Sequence, residues 1–222
     1  MSKALEKKAV AAIERRGVLL VYPITNRRDP PSLWFELHPK VEMRWAWDEG
    51  ADTRVVALWH LRERIAHSRD VVYSKWFKNR AVFFKKPLFE AMLAKLHATG
   101  RLLEDLPQEA TELLSLLEED SPLSTKELRK RAGLQGKLLE RPWTKALNKL
   151  FTRGLAVGTG EVADGAFPSL AVGATRWIFE DLWLAAREGV TPEHEALLAE
   201  HLPAGSAFGK EWGKVLASLS SG

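Results

Sequence analysis

The 222-residue chain contains no cysteine, which excludes disulfide frameworks, cysteine-ligated zinc modules and thiol catalysis together. It also has no apolar run near the roughly 18 to 20 residues that a membrane-spanning helix needs. The opening MSKALEKKAVAAIERRG interleaves Glu6 and Glu14 with its cations and has no continuous apolar stretch, so it reads as neither a secretion signal nor an anchor. These absences point to a cytoplasmic protein without membrane contact. The length is sufficient for two small domains with cores of their own. The six histidines form no H-x-x-x-H pair: His60 and His67 are seven apart, as are His194 and His201, too far to share a metal without other ligands. Gly158 and Gly160 imitate a dinucleotide fingerprint, but DGAFPS follows and opens no helix. No metal set and no cofactor is therefore expected.

What is present is segregated charge. Residues 1–103 hold 20 Lys and Arg against 11 Asp and Glu, residues 104–120 hold seven acids and no base, and residues 121–176 hold 10 bases against 4 acids. Blocks of this kind suit a polyanion, although charge runs are more often simply solvated faces.

The residues 73–86, YSKWFKNRAVFFKK, combine large rings with the cations Lys75, Lys78, Arg80, Lys85 and Lys86. VVYSKWF and RAVFF are rich in β-branched and aromatic residues, and Lys78-Asn79 between them suits a tight turn, so the pattern predicts a hairpin. Alternation then puts Val72, Ser74 and Trp76 on one side and Tyr73, Lys75 and Phe77 on the other. Both sides carry aromatics, so at least one packs in a core. Elsewhere the spacing predicts an amphipathic helix over residues 3–16 stopped by Gly17, a buried strand in GVLLVYPI, and a strand or turn in SLWFELHP. It predicts a helix over 53–67 with Val56, Trp59, Leu61 and Ile65 inward, and another from Pro87 to Gly100. No sequence repeat stands out.

Residues 107–176 predict a helix with Leu113, Leu114, Leu116 and Leu117 as its stripe, then a short basic helix opened by the Ser124–Glu127 capping box and closed by Gly133. A longer helix, ERPWTKALNKLFTRG, and a second hairpin with a DG turn follow. This order is that of a winged helix-turn-helix, in which the third helix lies in the major groove. Trp143, Leu147, Leu150 and Phe151 would anchor that helix, leaving Arg141, Lys145, Asn148 and Lys149 for phosphates. Such modules also serve as protein-docking units. From Thr191 the pattern is again helical, with a break at Pro203 to Gly205.

The combination of VVYSKWFKNRAVFFKKPLFEAML with LSTKELRKRAGL, a basic helix and a short wing resembles the winged-helix family of AlkZ and YcaQ DNA glycosylases. That resemblance implies tandem winged-helix units and a role in releasing alkylated bases or unhooking crosslinks. Those glycosylases position water with a Q-x-Q or Q-x-D motif, whereas Gln108 and Gln135 are the only glutamines here and neither fits. No catalytic residue is carried over.

The expected architecture is thus α+β, with tandem winged-helix-like units at 1–104 and 105–185 and a helical tail at 186–222. The expected function is non-catalytic binding of duplex or damaged DNA, through Lys75, Lys78, Arg80, Lys85, Lys86, Arg141, Lys145, Asn148 and Lys149. Nine tryptophans are many for this length, and Trp45 and Trp47, one residue apart, would share a strand face and, with Tyr73, could stack a base, although core packing is the commoner role for such rings. The alternatives are a glycosylase of divergent catalytic residues, for which Asp48, Glu49, Asp52 and Asp70 are the nearby carboxylates, and a protein-docking module.

Overall fold

The computed structural model describes residues 3–45 and 52–220. It is α+β, with six strands in one sheet of order β1-β3-β2-β5-β6-β4, every pairing antiparallel.

Helix α1 (Lys3–Arg16) buries Ala9, Ala12 and Ile13. It stops at Gly17, whose φ of +74° is the left-handed conformation a side chain would resist. Strand β1 (Val18–Leu20) follows, then α2 (Leu33–Leu37), where a strand or turn was expected. The 33, 34, 37 spacing of Leu33, Trp34 and Leu37 buries all three from one helical turn, and the Trp34 indole donates to the Val41 carbonyl at 2.8 Å. Helix α3 (Thr53–Ser68) is capped by Asp52, which accepts from the Arg54 amide. Its inward face is Val55, Leu58, Leu61, Arg62, Ile65 and Ala66. Val56, expected inside, is 52% exposed, because the true face is set one residue earlier.

The hairpin β2 (Val72–Phe77) and β3 (Arg80–Phe84) turns through Lys78 and Asn79, both left-handed at φ +50° and +58°. Its register runs Val72↔Phe84, Tyr73↔Phe83 and Ser74↔Val82, then slips before Phe77↔Arg80. That slip overturns the simple alternation: Phe77 joins Trp76 and Phe84 in one hydrophobic cluster, while Tyr73 and Phe83 enter another. The rings of residues 73–86 therefore pack in core on both sides, and Lys78 and Arg80 form an exposed rim.

Helix α4 (Lys86–Ala98) carries Pro87 in its first turn and ends ahead of a left-handed Gly100. Next come α5 (Gln108–Glu119), β4 (Leu123–Ser124) and α6 (Thr125–Arg131). The Ser124 hydroxyl accepts from the Glu127 amide at 3.1 Å, but the Glu127 carboxylate accepts from Arg131 at 3.0 Å instead of closing the box. A short 3-10 turn (Lys137–Leu139) leads into α7 (Glu140–Thr152), and the second hairpin is β5 (Ala156–Val162) and β6 (Ser169–Ala174). Helices α8 (Thr175–Ile178), α9 (Glu180–Arg187), α10 (Pro192–His201) and α11 (Ala207–Ser220) complete the chain. None of the helices among the described residues is long and apolar enough to cross a membrane.

The order helix, short strand, helix, helix, hairpin occurs twice, as α1-β1-α2-α3-β2-β3 and as α5-β4-α6-α7-β5-β6. In each half the short strand pairs with the hairpin's second strand, and the halves meet where Tyr73 lies opposite Gly158. Helix α3 of the first half packs on β5 of the second, and α7 of the second on β2 of the first. The sheet and the larger cluster thus run across residue 104, and α9, α10 and α11 add Leu182, Leu198 and Trp212 to that cluster.

Candidate nucleic-acid interface

Helix α7 is amphipathic by its spacing: Trp143, Ala146, Leu147, Leu150 and Phe151 are buried. Arg141 and Lys145 are exposed, and Asn148 and Lys149 half-buried, on the remaining face. No carboxylate among the described residues forms an ion pair with Arg141, Lys145 or Lys149. Burial, then the neighbouring Arg153 charge, holds the Lys149 ammonium below its ordinary pKa, with Asp105 acting in the opposite direction. Arg153 itself is buried, its guanidinium donating to the Leu102 carbonyl at 2.9 Å and to that of Glu104, which makes it a structural clamp.

In the other set, Lys78 and Arg80 are exposed at the hairpin tip and Lys85 and Lys86 half-buried at the start of α4. Lys78 lies 5.2 Å from the centre of the Phe77 ring and Lys86 5.6 Å from that of Phe179. Lys75 is separate from both groups. Its charged neighbours are Arg62 and Glu161, whereas those of Lys149 are Arg153, Asp105 and Lys145.

Lys75 belongs to a polar cluster that joins the two halves. Arg62, 8% exposed, projects from the apolar face of α3 and forms an ion pair with Glu161 of β5, both side chains being about nine-tenths buried. The Trp59 indole donates to the second Glu161 oxygen at 3.2 Å, and its ring lies 4.4 Å under the Arg62 guanidinium. The Tyr22 hydroxyl is buried without a hydrogen-bond partner, and the buried Tyr73 side chain meets the Arg62 guanidinium, 5.9 Å from its ring centre. Burial pushes both phenols well above their ordinary pKa. The half-buried Lys75 ammonium is held below its ordinary value, chiefly by burial and then by the Arg62 charge. Gly158 and Gly160 make the cluster possible: a Cβ at Gly158 would stand 2.4 Å from the Tyr73 ring, and Gly160, at φ +125°, lies against the His67 ring, whose Nδ1 is 3.1 Å from the Thr159 carbonyl.

Of the expected stacking residues, Tyr73 is in the core and Trp45 at the surface. Tyr73 is 2% exposed, its ring 5.1 Å from Phe83, and inter-strand packing removes it from any surface platform. Trp45 is half exposed, with its ring 5.0 Å from that of Tyr22, in a segment that is not a strand. Trp47, Asp48 and Glu49 lie outside the described residues. Of the other candidate carboxylates, Asp52 caps α3 and is held by Arg54 at 2.8 Å, and Asp70 is exposed. Sequence reasoning passed over Arg62, Glu161 and Tyr22. The available signal was a cation among Leu58, Leu61 and Ile65 on a helix face, and a lone acid in the small-residue strand AVGTGEV.

The structure thus defines an α+β protein of two like-ordered halves, with a cationic helix on the second and a buried charged cluster between them. Residues 6–192 match the model of a family described as AlkZ related. The match covers most of the chain, which therefore belongs to the AlkZ-related family, and membership associates it with glycosylase-like proteins of DNA repair. No curated protein and no solved structure matches it.

Proposed function

We propose that this protein binds duplex DNA in repair, as a tandem winged helix-turn-helix protein that does not itself excise bases. The observation that carries the reading is the outer face of α7, where Arg141, Lys145 and Lys149 stand together with no carboxylate partner among the described residues. A cationic face without a direct ion pair suits phosphate contacts, each of which releases counterions. The repeated element order supports the winged-helix description, with α7 as the third helix and β5–β6 as the wing. The exposed Lys78 and Arg80 at the first hairpin tip are a second set of phosphate contacts.

The test is fluorescence anisotropy with labelled duplex and single-stranded DNA across a salt series. Wild-type affinity should fall with salt, and a Lys145→Glu, Lys149→Glu variant should bind at least about tenfold more weakly, with a salt slope shallower by about 2. No binding at low salt refutes the reading and leaves a protein-docking module.

One observation favours a second reading, base excision by divergent residues: the Glu161 carboxylate is held in place beside aromatic side chains. A fixed carboxylate is what water activation at an extruded base requires. This reading expects abasic product from alkylated or crosslinked duplex, lost in Glu161→Gln.

A further inference from the structure

We infer that the loop between β5 and β6 inserts the Phe167 ring into the base stack of bound duplex, at a step that a missing base has already loosened. The inference rests on the DNA-binding reading above and names the substrate class that its surface would select.

The β5–β6 hairpin outgrows the sheet. Strand β5 is buried from Ala156 to Gly160 and β6 from Ala171 to Ala174, whereas from Val162 to Pro168 every residue is exposed except the half-buried Asp164. The loop is nevertheless fastened at its base. Lys126 of α6 donates to the Asp164 carbonyl at 2.5 Å, and the Asp164 amide donates to the Val162 carbonyl at 3.0 Å. A Cβ at Gly165 would stand 3.4 Å from the Lys126 ammonium, so the turn runs close over α6. Phe167 is the one aromatic residue of the loop, and it is 85% exposed.

A single exposed apolar side chain needs no explanation by itself. What distinguishes Phe167 is its surroundings. At the foot of the loop lies a cleft of about 390 Å³ lined by Thr125, Lys126, Arg129, Gln135, Trp143 and Ser169. Ser169 stands two residues from Phe167, and Lys126 reaches the loop itself, so the ring and the cleft share one end of the second half. Trp143 brings in the start of α7, where Arg141 and Lys145 are exposed. Residues 125–145 hold seven Lys and Arg against two acids, Glu127 and Glu140, and both acids are engaged, by Arg131 and Arg129.

An uncharged ring among these cations has one complement on a nucleic acid. Phosphates pair with the cations, and the faces of the base pairs are the apolar surface left for the ring. Inserting an apolar side chain between base steps costs unstacking, and that cost is least where a base is damaged or absent. Preference for an interrupted duplex therefore comes from Phe167, whereas Lys126 and the cleft hold backbone of any sequence.

The experiment is fluorescence anisotropy of the full chain with two labelled duplexes of one sequence, one intact and one carrying a single tetrahydrofuran abasic analogue, across a salt series. A 2-aminopurine next to the analogue reports local stacking. The wild type should bind the abasic duplex at least about tenfold more tightly than the intact one and change the 2-aminopurine signal at least about twofold. Phe167→Ala should erase both effects with the salt slope unchanged, since no phosphate contact is lost, and Phe167→Leu should keep most of the preference. Lys126→Gln should instead weaken both duplexes alike, with a slope shallower by about 1. Duplex binding with no preference for the analogue, or a preference that survives in Phe167→Ala, overturns the inference and leaves the DNA-binding reading standing. Absence of binding to either duplex removes the two together.

Discussion

Replacing Glu161 with alanine isolates the contact that joins the two halves. The Arg62 guanidinium would stay in a site where the residue is 8% exposed, facing the Lys75 ammonium without the carboxylate that now balances it. Removing one partner of a buried pair costs about 3 to 5 kcal/mol, because the survivor remains a desolvated charge. Losing the acceptor for the Trp59 indole adds about 1 kcal/mol. The Trp59 ring lies under Arg62 at 4.4 Å with or without Glu161, so this cation–π contact leaves the difference unchanged. The net expectation is therefore a loss of about 4 to 6 kcal/mol, a large part of the 5 to 15 kcal/mol typical of a folded domain. With a urea slope near about 2 to 3 kcal/mol/M, the midpoint should fall by about 1.5 to 3 M. The double variant Arg62→Met, Glu161→Leu removes both charges and should lie within about 1.5 kcal/mol of the wild type. A Glu161→Ala loss below about 1 kcal/mol, or a double variant costing the sum of its singles, would refute the view that this pair is a buried, mutually dependent contact.

Three further outcomes follow from the packing and the titratable groups. Gly17→Ala should destabilise by about 2 to 4 kcal/mol in urea melts, since φ is +74° and the new Cβ would stand 2.4 Å from His201 Cγ. Phe151→Ala, at a fully buried position of α7, should cost about 3 to 5 kcal/mol and lower thermal stability, whereas truncation of the 85% exposed Phe167 should change it by less than about 0.5 kcal/mol. Burial first of all holds His38, His97 and His201 below their ordinary 6.5, so the unfolded chain binds more protons as pH drops. Stability from these groups is complete above pH 6.5 and lost as pH falls from there toward the folded-state values. Urea midpoints measured from pH 7.5 to 5 should decline, and His201→Asn should flatten the decline.

The fold was readable wherever local chemistry and tertiary packing agree. The left-handed pair Lys78-Asn79, Pro87 in a first turn, the Ser124 cap and the Trp143, Leu147, Leu150, Phe151 face are each fixed within a few residues, and each stands as the spacing predicts. Departures arise where register or a specific hydrogen bond decides. Phe77 changes sides because the β2–β3 register slips, Leu33 to Leu37 coil because Trp34 finds the Val41 carbonyl, and Thr175 opens a helix as β6 ends. The twofold repetition of element order leaves no repeated residues behind it, since an element order needs only apolar spacing and turns.

The candidate site was less legible because its parts lie far apart in the chain. Arg62 and Glu161 are 99 residues apart in sequence, and Tyr22 and Tyr73 come from different strands or loops of the first half. Nothing local marks Glu161 as buried, because a lone acid near a hairpin end ordinarily faces water. What buries it is the placement of α3 on β5, a contact between the halves, and the close approach that Gly158 and Gly160 permit. The aromatic and basic residues of 73–86 consequently divide into three physical roles that composition cannot separate: Tyr73, Trp76, Phe77, Phe83 and Phe84 hold the core, Lys78 and Arg80 form an exposed rim, and Lys75 alone shares its surroundings with a buried ion pair. Beside the Arg62–Glu161 pair Lys75 meets one charge of each sign, so its burial, and not a net repulsion, is what sets it apart from the exposed Lys78 and Arg80.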